Sequence, residues 1–157
     1  MFRQEASIIA QDFMTKTVHT CAESKTLGDA VKTMLDKDIG ILPVVNDNEE
    51  LVGVITESHF VGNEKSVPHS FRDLRSLFGE TFHLKKIEDV YKSVRNKKIS
   101  EVMTRDPLSV TPEASLTNVV ELMNLKNIKR LPVVDGDSIV GVITRRDLIR
   151  AFNIVNS

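Results

Sequence analysis

Leu131-Pro132-Val133-Val134, a polar turn and Val140-Gly141-Val142-Ile143-Thr144 decide the fold, because the same text stands earlier as Leu42-Pro43-Val44-Val45 and Val52-Gly53-Val54-Ile55-Thr56. Two short β-branched apolar runs around a polar turn predict a β-hairpin, and Asp135-Gly136 is a strong two-residue turn signal. Working outward toward the N terminus, Met103-Thr104 falls on Met14-Thr15 at an offset of 89. Between these marks, positions 101–134 against 12–45 share eleven identities in 34. Beyond the hairpin turn the offset becomes 88, because Asn46-Asp47-Asn48-Glu49-Glu50 is one residue longer than Asp135-Gly136-Asp137-Ser138. Loop length is the cheapest thing to vary. The chain is one unit written twice.

Each copy carries a helical stripe before its hairpin. Leu27, Ala30, Val31, Met34 and Leu35 recur at i, i+3, i+4, i+7 and i+8, as do Leu116, Val119, Val120 and Met123. Thr26 with Asp29, and Ser115 with Asn118, read as N-terminal caps. Pro43 and Pro132 lack an N–H and predict a strand start or edge. Asp147 to Phe152 begins a closing helix. A copy of roughly 50 residues is marginal alone, so the two are expected to pack together. The predicted fold is α/β, with pseudo-symmetric βαββα repeats over 7–62 and 98–157 and an ordered helical insertion over 63–97. In the insertion Leu74, Leu77, Phe78, Phe82 and Leu84 supply apolar contacts, and Ile87, Val90, Tyr91 and Val94 recur at helical spacing. Covering the core or helping a dimer interface is its expected role, rather than acting as a lid.

With 41% hydrophobic and 27% charged residues, the 157-residue chain lies in the ordinary globular range. A formal net charge of −1 gives no overall drive toward nucleic acid or anionic membrane. Cys21 is the single cysteine, on an expected strand, and CxxC or Cys/His zinc spacing is absent. A reducing cytoplasm fits. Glu5 interrupts what would be the apolar core of a signal peptide, and no apolar run approaches the roughly 20 residues of a spanning helix, so neither export nor membrane insertion is expected. Neither GxSxG, Walker A nor GxGxxG occurs, and His19, His59, His69 and His83 form no ligand pair at helical spacing. Catalysis is not expected. Metal binding is not expected either, although Glu57, His59, Glu64 and His69 lie close in sequence.

In its ordered set of Met-Thr, amphipathic helix, Leu-Pro-Val-Val, hairpin and Gly-Val-Ile-Thr, present in both copies, the chain resembles the tandem CBS (cystathionine-β-synthase-type) domain, or Bateman module. The resemblance implies pseudo-twofold packing of the copies, two clefts between them, and homodimers arranged head-to-head or head-to-tail.

Gly141 to Asp147 describes a strand ending at a Thr-x-x-Asp that opens a helix. By itself this reads as a capping box. The same geometry also turns N–H groups and the positive helix end outward, where a phosphate can sit. A carboxylate offers two acceptor oxygens to a ribose cis-diol. The resemblance implies that second use, with Thr144 on phosphate and Asp147 on ribose of an adenosine nucleotide. Lys129, Arg130, Arg145 and Arg146 would add positive charge, their alternative being solvated surface. The resemblance further implies an adenine slot from Thr104, Asp106, Pro107 and Leu108, with Ile128 and Leu131 as apolar neighbours. Pro107 and Leu108 equally read as a turn and a strand start.

The first copy departs at these positions. Thr56-Glu57-Ser58-His59 puts histidine where the carboxylate was, and Gly40-Ile41 replaces Lys129-Arg130. Thr56, His59, Ile41, Gly40 and Thr15 are therefore expected to form a second, degenerate site, since an imidazole cannot accept from both hydroxyls of a diol. The expected function is a non-catalytic regulatory module that needs no cofactor. It binds AMP, ADP or ATP in a cleft between the repeats, mainly through the second, and changes packing or assembly in response, the output going either to a separate protein effector or to the assembly state. The rival is a ligand-independent dimerisation or docking protein in which Thr144 and Asp147 only cap a helix. Nucleic-acid binding by the cationic cluster is disfavoured by the near-neutral charge and few aromatics.

Overall fold

A computed structural model describes residues 7–57 and 84–157. The chain runs α1 (Ala10–Phe13), β1 (Cys21–Ala22), α2 (Leu27–Lys37), β2 (Ile41–Val45), β3 (Leu51–Thr56), α3 (Leu84–Val94), α4 (Ile99–Val102), β4 (Thr104–Arg105), α5 (Leu116–Leu125), β5 (Arg130–Asp135), β6 (Ser138–Thr144) and α6 (Arg145–Val155). Both predicted helical stripes, both hairpins and the closing helix are present. Of the insertion, α3 carries the predicted Ile87, Val90, Tyr91 and Val94 spacing. The apolar positions Leu74, Leu77, Phe78 and Phe82 lie outside the described residues.

The caps form as the residue types dictate. Thr26 Oγ1 accepts the Asp29 N–H at 3.2 Å and the Asp29 carboxylate accepts the Thr26 N–H at 3.0 Å. Donation to the carboxylate from Thr26, first from its backbone N–H and then from its side chain, holds the Asp29 carboxyl below its ordinary range. Ser115 accepts from the Asn118 N–H at 3.1 Å. Both helices run into a left-handed residue at matching repeat positions, Asp38 and Asn127, each at φ 50. Asp and Asn tolerate that region best after glycine.

The compact units cross the repeat boundary. One comprises Met1–Val18 with Leu108–Ser157 and the other comprises His19–Pro107; they are called unit 1 and unit 2 below. Unit 2 holds a four-stranded sheet in the order β1-β2-β3-β4. There β1 runs parallel to β2, and β2–β3 and β3–β4 are antiparallel. Unit 1 reproduces the arrangement with thinner edges. Its β5–β6 hairpin is flanked by single bridges, Val110 parallel to Val133 and Thr15 antiparallel to Val142. Pairing in β5–β6 continues to Asp135 and Ser138, so the two turn residues are Gly136 (φ 63) and Asp137, one position later than the Asp-Gly dipeptide predicts.

Pro43 and Pro132 sit inside their strands, not at a start. The reason is register. Pro132 lies opposite Val142, whose N–H and C=O both turn away to Thr15, at 3.0 and 2.9 Å. That pair exchanges no hydrogen bonds, so the missing proline N–H costs the hairpin nothing.

The leading segment of each repeat is exchanged onto the hairpin of the other. In unit 1 the Ala10 N–H donates to the Ala114 carbonyl at 2.8 Å and the Gln11 N–H to Pro112 at 3.0 Å. Unit 2 repeats both bonds at the equivalent positions, Ile99 to Lys25 at 2.7 Å and Ser100 to Glu23 at 3.1 Å. The exchange explains why Met-Thr and Gly-Val-Ile-Thr recur together. Gly141 in β6 packs under Met14, and Gly53 in β3 packs under Met103 and the Thr104 carbonyl. A notch without a side chain receives a flexible thioether. Phe13 and Met14 join Leu131, Val133 and Ile143 in the unit 1 core, while Val102 and Met103 join Leu42, Val44 and Ile55 in that of unit 2. Burying a side chain such as Phe13 contributes about 2 kcal/mol toward holding its segment.

The end of the insertion closes α2. Leu27 and Gly28 N–H groups donate to the Lys97 and Arg95 carbonyls at 3.0 and 2.9 Å, and Val94 is buried in the unit 2 core. The buried Cys21 thiol is pushed up from its ordinary value of 9.0, first by desolvation and then by the nearby Asp29 charge. Being raised in the folded state, it contributes stability that is present below 9.0 and lost as pH rises past it. Cys21 is accordingly expected to react with an aromatic disulfide reagent at pH 8 far more slowly in the native chain than in urea. Equal rates would contradict its burial.

Candidate functional site

Strand β6 passes into α6 at Thr144, an extended cap residue with φ −118 and ψ 174. Three residues on, Asp147 is 1% exposed and is the one buried charged side chain among the described residues. Its Oδ2 accepts the Thr144 N–H at 2.8 Å and the Thr144 hydroxyl at 3.2 Å. Its Oδ1 accepts the Thr15 hydroxyl at 2.9 Å and lies 3.3 Å from the Arg150 guanidinium. Arg150 reaches on to the Phe13 carbonyl at 3.4 Å. An isolated carboxylate is costly to bury, and these four donors remove most of that cost. Asp147 therefore acts as a helix cap and as a clasp on the exchanged arm.

The cations gather as the register requires. Arg130 is the pairing partner of Thr144, so Lys129 and Arg130 stand at the same end of the hairpin as Arg145 and Arg146. Lys129, Arg145 and Arg146 are exposed, and Arg130 is half-buried. At this end the first N–H groups of α6 also lack intrahelical acceptors. The equivalent end of β2–β3 pairs Ile41 with Thr56, and the Glu57 N–H donates to the Gly40 carbonyl at 3.2 Å. Position 59 lies outside the described residues. A cluster of four cations in one unit is thus matched by Gly40, Ile41 and an acidic Glu57 in the other.

The remaining positions divide between the units. Ile128 packs against the unit 1 core, and Leu108 is exposed at the start of the same unit's second segment. Thr104, Asp106 and Pro107 belong to unit 2. There Thr104 pairs with Val54, and Asp106 adopts φ 46. Thr15, grouped by sequence with the degenerate site, lies on Asp147 instead. Sequence reasoning missed Arg150, although Asp147 and Arg150 at i and i+3 carry that signal. The Thr15–Asp147 contact spans 132 positions, and no local pattern announces it.

Residues 10–64 and 99–154 each match the CBS domain family. The chain belongs to the CBS-domain family. Relatives of this CBS pair include CBSX2, a chloroplastic CBS domain-containing protein of Arabidopsis thaliana, 30% identical over 149 residues. They cover 89% of this chain but 61% of CBSX2. The Methanocaldococcus jannaschii protein MJ1426 is 31% identical over 156 residues, covering 92% of this chain and 90% of its own. Among solved structures, CBSX2 of Arabidopsis thaliana superposes with a TM-score of 0.73 at 28% identity, over 96% of this chain and 98% of that one. A second structure, CBSX2 in complex with AMP, gives 0.67 at 26% identity, over 95% and 98%. Among the described residues of this CBS pair, no helix is long and apolar enough to cross a membrane.

Proposed function

We propose that this CBS pair is a non-catalytic regulatory module that binds an adenosine nucleotide at the β6–α6 end of unit 1 and passes occupancy on as a change of packing or assembly. The observation that carries the reading is the meeting of Lys129, Arg130, Arg145 and Arg146 with the start of α6 at the Thr144–Asp147 turn, against an uncharged or acidic equivalent in unit 2. Helix-start N–H groups and guanidinium forks together suit a phosphate. The AMP complex of CBSX2 supports an adenosine ligand by kinship. ADP and ATP are the other ligands of the proposal, and a homodimer is the proposed assembly.

Calorimetric titration with adenosine, AMP, ADP and ATP tests this. Phosphorylated ligands are expected to saturate the protein, and Arg146→Gln should weaken AMP several-fold while leaving adenosine unchanged, because charge-assisted bonds to phosphate are the stronger kind. Absence of any saturable heat would sink the reading. In that event ligand-independent docking moves ahead, favoured by the exposed Ile149, Phe152 and Val155 on α6.

A further inference from the structure

We propose that the Thr15–Asp147 hydrogen bond is an autoinhibitory latch: the exchanged arm of the first repeat occupies the carboxylate oxygen that a ribose diol requires, so arm and ligand compete for it. The proposal rests on the nucleotide reading above. At 1% exposure and with both oxygens engaged, Asp147 cannot take a diol unless a present partner yields.

The two oxygens are held unequally. Oδ2 accepts the Thr144 N–H at 2.8 Å, part of the turn into α6, and its release means unwinding the helix start. Oδ1 is held by two side chains, the Thr15 hydroxyl and the guanidinium of Arg150, which is 52% exposed and can turn to solvent. Thr15 can yield without the arm leaving. Its backbone stays paired to Val142 at 2.9 and 3.0 Å while rotation about χ1 frees the hydroxyl. A ligand bond at Oδ1 is then made at the expense of one bond fastening the arm around α1 and Thr15 to the rest of unit 1, which gives the bound and free states different holds on that arm. The repeat confines the device to one unit. Thr104 is the equivalent of Thr15, but the sequence places His59, not a carboxylate, at the equivalent of Asp147.

The test is calorimetry of AMP and 2′-deoxy-AMP with the full chain as wild type, Thr15→Val and Thr15→Ser. Valine keeps the branched shape and the backbone pairing but removes the hydroxyl, whereas serine keeps the hydroxyl. Thr15→Val is expected to bind AMP on the order of tenfold more tightly, the scale of one hydrogen bond to a charged group, with Thr15→Ser close to wild type. The gain should shrink for 2′-deoxy-AMP, which has no diol. Equal or weaker AMP binding by Thr15→Val, or an equal gain for both ligands, overturns the latch and leaves nucleotide binding standing. No saturable heat from any chain overturns the nucleotide reading and the latch together. In wild type, three-bond couplings of Thr15 should report a χ1 change on saturation with AMP, and an unchanged rotamer overturns the latch even if the valine chain fails to fold.

Discussion

Gly53→Ala is expected to lower stability by about 2–3 kcal/mol, the upper part of the range for overpacking, and to cost more than Gly141→Ala. A Cβ at position 53 would meet Met103 and stand 2.8 Å from the Thr104 carbonyl. The carbonyl belongs to the backbone of β4, which is paired to β3 through Gly53–Arg105 and Val54–Thr104, so relief requires the strands to separate. At position 141 the three nearest neighbours are all atoms of the Met14 side chain, with Cγ at 2.9 Å and Cε at 3.2 Å, and a thioether can repack. About 1 kcal/mol is expected there. Urea denaturation of the two variants checks the order. An equal or inverted cost would mean that the methionine, not the strand backbone, sets the limit at both notches.

Asp147→Ala is expected to lose nucleotide binding and also to destabilise the chain by about 2–3 kcal/mol, because Thr144 and Thr15 lose a charged acceptor inside the protein. The two effects need separating, since a helix cap and a ligand contact share one carboxylate. Asp147→Asn does so. Its amide oxygen can still accept the Thr144 N–H, and the expected loss of stability is about 1 kcal/mol. The neutral amide is nevertheless a poorer acceptor for a diol, so AMP affinity should still fall strongly. If Asp147→Asn melts near wild type and binds AMP as well as wild type does, the carboxylate serves the helix alone.

Much of the fold was legible because each element is announced locally. Thr26–Asp29 and Ser115–Asn118 cap helices through bonds three residues apart, and the hairpins are written in β-branched runs around polar turns. Pro132 lies on an edge strand as expected, but Pro43 lies in the middle of its sheet, and whether a missing N–H matters depends on which way the strand residue faces. That is set by Thr15 pairing on the far side of Val142. The cationic end of unit 1 was legible because hairpin register alone carries Arg130 to Thr144.

The sequence by itself determined a repeated unit, its helices and hairpins, and a difference in charge between the copies at 40–41 against 129–130. Tertiary structure alone decided which Met-Thr segment serves which hairpin, and so that Thr15 of the first repeat closes on Asp147 of the second. The physical reason lies in the repeat. Two nearly identical leading segments fit two nearly identical notches, and local pattern gives no preference between pairing within a copy and exchange. That choice is made only when the whole chain packs.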